Sequence, residues 1–235
     1  MSSLELGRKL ENDFDYNNCV KDADIYVRMD FLRKIYCILS AQLVVTLLTG
    51  AILFAFKEPV VLFLTQKYGI FLLLVASFVI LIAMFFKRYD NPINFILLFS
   101  FTVVESFLVG LAVVHFDVSI ILQALTITAA ITTGLTLYTM QTKRDFSSWG
   151  ACIGALLMAV FLGGITNVFF GSPAIHLALS IAGAFIFACL LIFDTQMIMQ
   201  RFSAEEYIAA SITLYLDILN LFLYILRILQ ATNNN

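Results

Sequence analysis

Charge is scarce in this chain: Asp, Glu, Lys and Arg make up 13% of its 235 residues, about half the share of a soluble domain. With 61% apolar side chains and a mean hydropathy of +0.95, that balance argues against a water-soluble globular enzyme. Proline is rarer still, at 3 against 23 phenylalanines, which excludes disordered and collagen-like chains. Cys19, Cys37, Cys152 and Cys189 show no CxxC or CxxxC spacing, so they suggest neither a disulfide framework nor a zinc site. Three lie in apolar stretches and read as small hydrophobes. The two histidines, His115 and His176, stand at the ends of apolar runs, and no H-E-x-x-H or carboxylate–histidine cluster offers a transition-metal site. Phosphate-loop, dinucleotide and G-x-S-x-G signatures are missing as well, so neither an enzymatic role nor a cofactor is expected. Neither sign of charge dominates: 14 basic and 16 acidic residues leave a net −2, and no nucleic-acid partner is implied. No cleavable signal peptide is expected, because the first apolar run follows thirty-odd charged and polar residues and is too long for one.

What the chain does have is long apolar runs. A helix needs roughly 20 apolar residues to cross about 30 Å of hydrocarbon. Uncharged or nearly uncharged runs cover Ile35–Phe56, Tyr68–Phe86, Ile93–Phe116 and Val118–Thr142. Phe146 to Phe193 holds no charge at all, twice what one span can use, and Gly171-Ser172-Pro173 divides it. The second half continues to about Gln200, and a last run covers Tyr207–Leu226. Transmembrane strands are about ten residues long and alternate in polarity, whereas these runs are twice that and apolar all round. The expected fold is therefore all-α: a polytopic membrane helix bundle of six spans plus a seventh segment, spanning or re-entrant. Residues 1–34 read as a cytosolic tail with charges of both signs, 35–230 as one transmembrane domain, and 231–235 as a short polar end. No internal repeat stands out.

Orientation follows from lysine and arginine. Arg8, Lys9, Lys21, Arg28, Arg33, Lys34, Lys87, Arg88, Lys143, Arg144 and Arg201 fall on one side, and only Lys57 and Lys67 on the other. Eleven against two predicts a cytosolic N-terminus. Arg227 follows the last segment, and its side depends on whether that segment spans.

Three acidic residues interrupt apolar runs: Glu105, Asp194 and Asp217. A carboxylate at the bilayer centre costs at least about 2.5–3.5 kcal/mol, so each needs a partner or a watery cavity. Asp194 has a blander reading as a solvated residue at the cytosolic boundary. Asp217 is ten residues into its run, on a face with Thr213, Asn220 and Tyr224, and that stripe points inward. A buried hydrogen-bonded seam is its plainer alternative. Glu105 has Thr102 and Ser106 beside it, and a structural bond to a neighbouring span competes with a role in ion passage. The short connection between their segments makes the helices of Asp194 and Asp217 probable antiparallel neighbours. Two carboxylates meeting in low dielectric do not both ionise cheaply, so the pair would share a proton and titrate as a unit. Thr128, Thr132, Thr136 and Thr139 on the fourth span read as packing threonines. Ser180, Ala184 and Ala188 form a ridge that permits close helix approach. Paired aspartates also admit an intramembrane aspartyl protease, but such enzymes carry G-x-G-D, and here Tyr215-Leu216 precede Asp217.

The segments VRMDFLRKIYCILSAQL (27–43), YTMQTKRDFSSWGA (138–151), FDTQMIM (193–199) and SAEEYIAASITLYLDILNLF (203–222) resemble the Bax-inhibitor-motif, or lifeguard, family, in particular its Golgi anti-apoptotic branch. Asp13-Phe14-Asp15-Tyr16 in the tail fits as well. The resemblance implies a seven-helix fold with the last segment at its centre. It also implies a calcium leak in Golgi and endoplasmic reticulum membranes that suppresses apoptosis. It assigns the family's aspartate pair to Asp194 and Asp217, its pore-associated acidic residues to Glu105 and to Glu205 with Glu206 adjacent, and a possible arginine latch to Arg88. Calcium would then pass at Asp194, Asp217 and Glu205. FDTQ stands where this branch usually has tyrosine-aspartate-threonine-histidine, which removes one titrating neighbour of Asp194. The partners implied are the bilayer, Ca²⁺, other calcium channels or apoptotic regulators, and a second copy of the chain. The competing reading is a non-conducting protein that restrains cell death by binding such partners.

Overall fold

The computed structural model describes residue 20 and residues 25–56, 68–87, 89–142 and 144–233. Among the described residues seven α-helices follow one another: α1 (Ile25–Ala55), α2 (Gly69–Phe86), α3 (Ile93–Val113), α4 (Val118–Gln141), α5 (Gly150–Phe170), α6 (Pro173–Gln200) and α7 (Tyr207–Asn233). A single turn of 3₁₀ helix, Ser147–Trp149, leads into α5. All seven α-helices are long and apolar enough to cross a bilayer, and there is no strand among the described residues. The all-α membrane bundle expected from the apolar runs is what forms.

Helix α1 begins at Ile25, ten residues before the first apolar run. Phe31 and Ile35 are buried there, so the boundary drawn at residue 34 cuts through a packed helix. At the other end α7 continues to Asn233, past the boundary at 230. The break between α5 and α6 lies where the glycine and proline place it. Gly171 takes a left-handed backbone (φ +61°), and its N–H bonds the Asn167 carbonyl at 2.8 Å, the usual way to end a helix. Ser172 then caps α6, with its hydroxyl accepting from the Ile175 N–H at 3.5 Å, and Pro173 occupies the first turn.

Helix α7 is the centre. It packs most extensively on α6, then on α1 and α4, and more lightly on α3. Over half of its most apolar stretch is buried (56%), against 6% in α2. The reason is polarity. Ser211, Thr213, Tyr215, Asp217 and Asn220 all lie on α7, and hydrocarbon cannot satisfy such groups. Helices α2 and α5 carry few polar groups and present Phe78 and Phe161 outward, where lipid tails solvate them.

The last segment is long and apolar enough to span. It is one unbroken helix of 27 residues, about 40 Å at 1.5 Å per residue. Along antiparallel α6, Asp217 meets Asp194 and Tyr224 meets Gly183. Arg227 lines a cleft with Pro173 and His176 at the far end. The C-terminal end of α7 therefore lies opposite the turn that joins α6 to α7.

Candidate functional site

Asp194 lies six residues before the end of α6, and Asp217 ten residues into α7. The antiparallel crossing brings the two carboxyl groups side by side, close enough to interact. Two carboxyls held side by side can hydrogen-bond to each other only when one of them carries a proton. Asp217 is 5% exposed, and its Oδ2 has no hydrogen-bond partner among the described residues. An acceptor left bare in such a place costs about 1–3 kcal/mol or more. The site thus combines two neighbouring carboxyls with a buried oxygen that has no hydrogen-bond partner among the described residues.

The other residues of the proposed polar stripe do not join the pair. Thr213 Oγ1 donates to the Ala209 carbonyl at 3.0 Å, and Asn220 Nδ2 to the Leu216 carbonyl at 2.8 Å. Both satisfy themselves on their own helix. Tyr224 stacks on Phe187, with ring centroids 5.7 Å apart. Glu205 is exposed on the turn before α7, roughly 18 Å along the chain axis from Asp217 at helical rise. Glu206 accepts from the Tyr89 hydroxyl at 3.1 Å and from the Ser203 N–H at 3.1 Å. Both acidic residues therefore lie at the mouth of the α6–α7 hairpin, away from the aspartates. Arg88, the candidate latch, lies outside the described residues.

Glu105 is on a different interface. Its carboxylate accepts from the Ser77 hydroxyl of α2. Tyr215 and Asp217 are two residues apart, hence about 200° around α7. Tyr215 accordingly faces α1 and α3, while Asp217 faces α6. The Tyr215 hydroxyl is 2.8 Å from Thr46 Oγ1, which is 3.2 Å from Ser106 Oγ. Thr46 donates its own proton to the Gln42 carbonyl at 2.9 Å, so the tyrosine is the donor in its pair. Gln42 Nε2 reaches Thr102 Oγ1 at 3.0 Å. This ladder of Gln42, Thr46, Thr102, Ser106 and Tyr215 was not singled out from the sequence. Its signal was present: polar pairs four residues apart, 42/46 and 102/106, inside apolar runs.

The motif FDTQ acquires a structural meaning. Gln196 is buried, and its side-chain amide clamps the loop before α5. Nε2 donates to the Arg144 carbonyl at 2.6 Å, and Oε1 accepts from the Phe146 N–H at 2.6 Å. A Cβ placed on Gly150 would sit 2.9 Å from Phe193 Cζ, so the start of α5 presses against the same turn of α6. Phe146 packs edge-on against Trp149, with centroids 5.2 Å apart. Glutamine in place of histidine removes a titrating group and supplies a donor and an acceptor that both find backbone partners.

The threonine face of α4 packs, as its pattern suggests. Thr128 and Thr139 return their hydroxyls to the carbonyls of Ala124 and Leu135 at 2.7 and 2.8 Å. On α6, Ser180 is buried and bonds the His176 carbonyl. Gly183 lies close against α7, where an added Cβ would sit 2.5 Å from the Tyr224 ring.

Comparison with known proteins adds a lineage to this geometry. Residues 28–235 match the family model described as inhibitor of apoptosis-promoting Bax1. Protein lifeguard 4 of Mus musculus is 41% identical over 225 residues, covering 95% of this chain and 94% of that protein. The Golgi anti-apoptotic protein of Vaccinia virus (strain Lister) is 38% identical over 240 residues, covering 99% and 98%. Bax inhibitor 1 of Schizosaccharomyces pombe is 41% identical over 212 residues, covering 89% and 79%.

Proposed function

The chain belongs to the Bax-inhibitor (lifeguard) family of multi-pass membrane proteins, and from that premise we propose that it is a pH-sensitive Ca²⁺ leak of Golgi and endoplasmic reticulum stores. Lowering store calcium is the route by which it restrains apoptosis. The family match and the relatives' names support the anti-apoptotic role and the Golgi location. One observation carries the conduction reading: the neighbouring carboxyls of Asp194 and Asp217 inside the bundle, with Asp217 Oδ2 without a hydrogen-bond partner among the described residues. With its proton the pair is a closed contact between α6 and α7. Without it, two adjacent carboxylates repel each other and present oxygens alone, the donor set that hard cations prefer. Glu205 and Glu206 at the hairpin mouth gather cations before they reach the pair. Glu105, held by Ser77, ties α3 to α2. The protein performs no hydrolysis in this reading, because Tyr215-Leu216-Asp217 lacks the protease glycines.

The test is Ca²⁺ flux into liposomes that hold a calcium dye and purified protein. Wild-type flux is expected to vary between about pH 6 and 8. Asp194→Asn and Asp217→Asn each keep volume and hydrogen bonding but abolish the shared proton, and each flattens that dependence. The double variant resembles the singles, because the two residues act as one unit. Glu5→Gln in the tail serves as a control and changes nothing. Flux absent from folded protein would overturn conduction in favour of the non-conducting interaction protein. An unchanged pH profile in both single variants would overturn the shared proton.

A cytosolic N-terminus is part of this proposal, and the basic residues support it. With α7 spanning, Arg227 joins Lys57 and Lys67, and eleven basic residues oppose three. In a cysteine-free background, Ser119→Cys at the exposed start of α4 reacts with an impermeant thiol reagent only from the lumenal side. Labelling from the cytosol reverses the assignment.

A further inference from the structure

At the end of the bundle away from the aspartate pair, a cleft of about 540 Å³ opens between α5, α6 and α7. Its lining changes character along its length. Ser172, His176 and Arg227 surround the end near the α5–α6 turn, while Val160, Gly164 and Leu179 line the deeper part. From Gly171 back to Val160 is eleven residues of α5, about 16 Å at helical rise, and half a hydrocarbon core is about 15 Å. The cleft therefore runs from the membrane surface to near the midplane, polar outside and apolar inside.

The cation at its mouth is fixed in place. The Arg227 guanidinium lies over the Tyr224 ring, 5.4 Å from its centroid, and that ring is wedged between Gly183 and Phe187. Among the described residues the ion pairs are Arg33–Asp30 and Lys87–Asp90, so no acidic side chain there neutralises Arg227. The positive end of α6, capped by Ser172, faces the same space. Around the mouth Val168, Phe169 and Phe170 are about four-fifths exposed, as side chains in contact with lipid would be.

We propose that this cleft binds one anionic glycerophospholipid, with its phosphate at Arg227, His176 and Ser172 and an acyl chain against Val160, Gly164 and Leu179. The polarity gradient of the cleft runs in the same direction as that of a lipid in the leaflet. A charged headgroup with two acyl chains matches both ends, whereas a free phosphate would leave the apolar part unused. A zwitterionic lipid brings the same phosphate but sets its own headgroup cation beside Arg227, where the two like charges repel. The site does not depend on conduction, since it lies at the opposite end of α6 and α7 from Asp194 and Asp217.

Native mass spectrometry of the purified full-length protein, with palmitoyl-oleoyl phosphatidylserine or phosphatidylcholine added in equal amounts, tests the proposal. One phosphatidylserine is expected to be retained in preference to phosphatidylcholine. Arg227→Gln lowers that preference about tenfold, the loss of one charge-assisted contact. Gly164→Leu blocks the apolar part and removes retention of both lipids. An added Cβ at Gly164 meets nothing within 4 Å, so this variant folds, and its melting curve checks that. A phosphatidylserine with a photoreactive group in its chain should label the peptide covering 160–179. Equal retention of the two lipids, or a preference that survives both variants, overturns the site. Displacement by glycerophosphoserine or inorganic phosphate as effective as displacement by lipid shows a free-anion site and overturns the lipid.

Discussion

Replacing Gln196 by leucine should release the loop that precedes α5 while leaving the helices in place. Both polar atoms of the Gln196 side chain are committed to that loop, at 2.6 Å each. The two losses are unequal. Arg144 is exposed, so its freed carbonyl can turn to water. Phe146 is 6% exposed and its N–H has no such recourse. A buried donor stranded in this way costs about 1–3 kcal/mol. At about 1.4 kcal/mol per factor of ten, that corresponds to a 5- to 150-fold rise in local opening. Hydrogen exchange in proteoliposomes reads this directly: peptides covering 144–149 should exchange faster by that factor in Gln196→Leu, with peptides of α1 unchanged. Gln196→Glu retains an acceptor for Phe146 and loses the donor to Arg144, so it should fall between wild type and leucine. Exchange in 144–149 that is the same in Gln196→Leu as in wild type would refute the clamp. The consequence for function lies next door, because Gln196 is two residues from Asp194 on the same turn of α6.

Further outcomes follow from the remaining contacts. A double-mutant cycle of Tyr215→Phe and Thr46→Val, read by resistance to unfolding in denaturing detergent, should give a coupling of about 0.6 kcal/mol, the typical value for a hydrogen bond between membrane helices; no coupling would break the ladder. Gly183→Leu should drive α6 and α7 apart, since even a Cβ there lies 2.5 Å from the Tyr224 ring. Loss of folded protein on size-exclusion is expected from this variant, whereas Gly164→Leu, with open space around it, should be retained. Ser172→Ala should destabilise the start of α6 by about 0.5–2 kcal/mol through loss of its cap, visible as faster exchange confined to the first turn of α6.

The aspartate pair and the clamp differ in how they could be found. Asp194 and Asp217 stand out because a carboxyl in an apolar run is costly, and a short connection between two spans makes them antiparallel neighbours. Their contact could therefore be anticipated before any coordinates. Gln196 gives no such warning. An amide near a helix end is inexpensive at a membrane surface, and only the approach of residues 144–146, fifty residues earlier in the chain, gives it a role. The stripe of Thr213 and Asn220 misled for a related reason. Helical spacing places residues on one face but does not say whether a hydroxyl or amide will turn back to its own carbonyls, which costs less than reaching a neighbour.

The number of helices, their lengths and the break at Gly171-Ser172-Pro173 were determined by the sequence alone, because the bilayer imposes one length scale and hydrocarbon forbids unpaired backbone groups. Family resemblance placed the last segment at the centre, and the polarity of that segment explains why it must be there. Tertiary structure decided the rest. Whether α7 spans or turns back depends on whether its C-terminal half finds a partner, and α6 supplies one through Gly183 and Tyr224. Which way each polar residue faces depends on the rotation of α7, which sends Tyr215 to α1 and α3 and Asp217 to α6. The cleft at the far end likewise exists only because three helices diverge there. Length and polarity act locally along the chain and can be read from it, whereas rotation and divergence are set by side chains far apart in sequence competing for the same space.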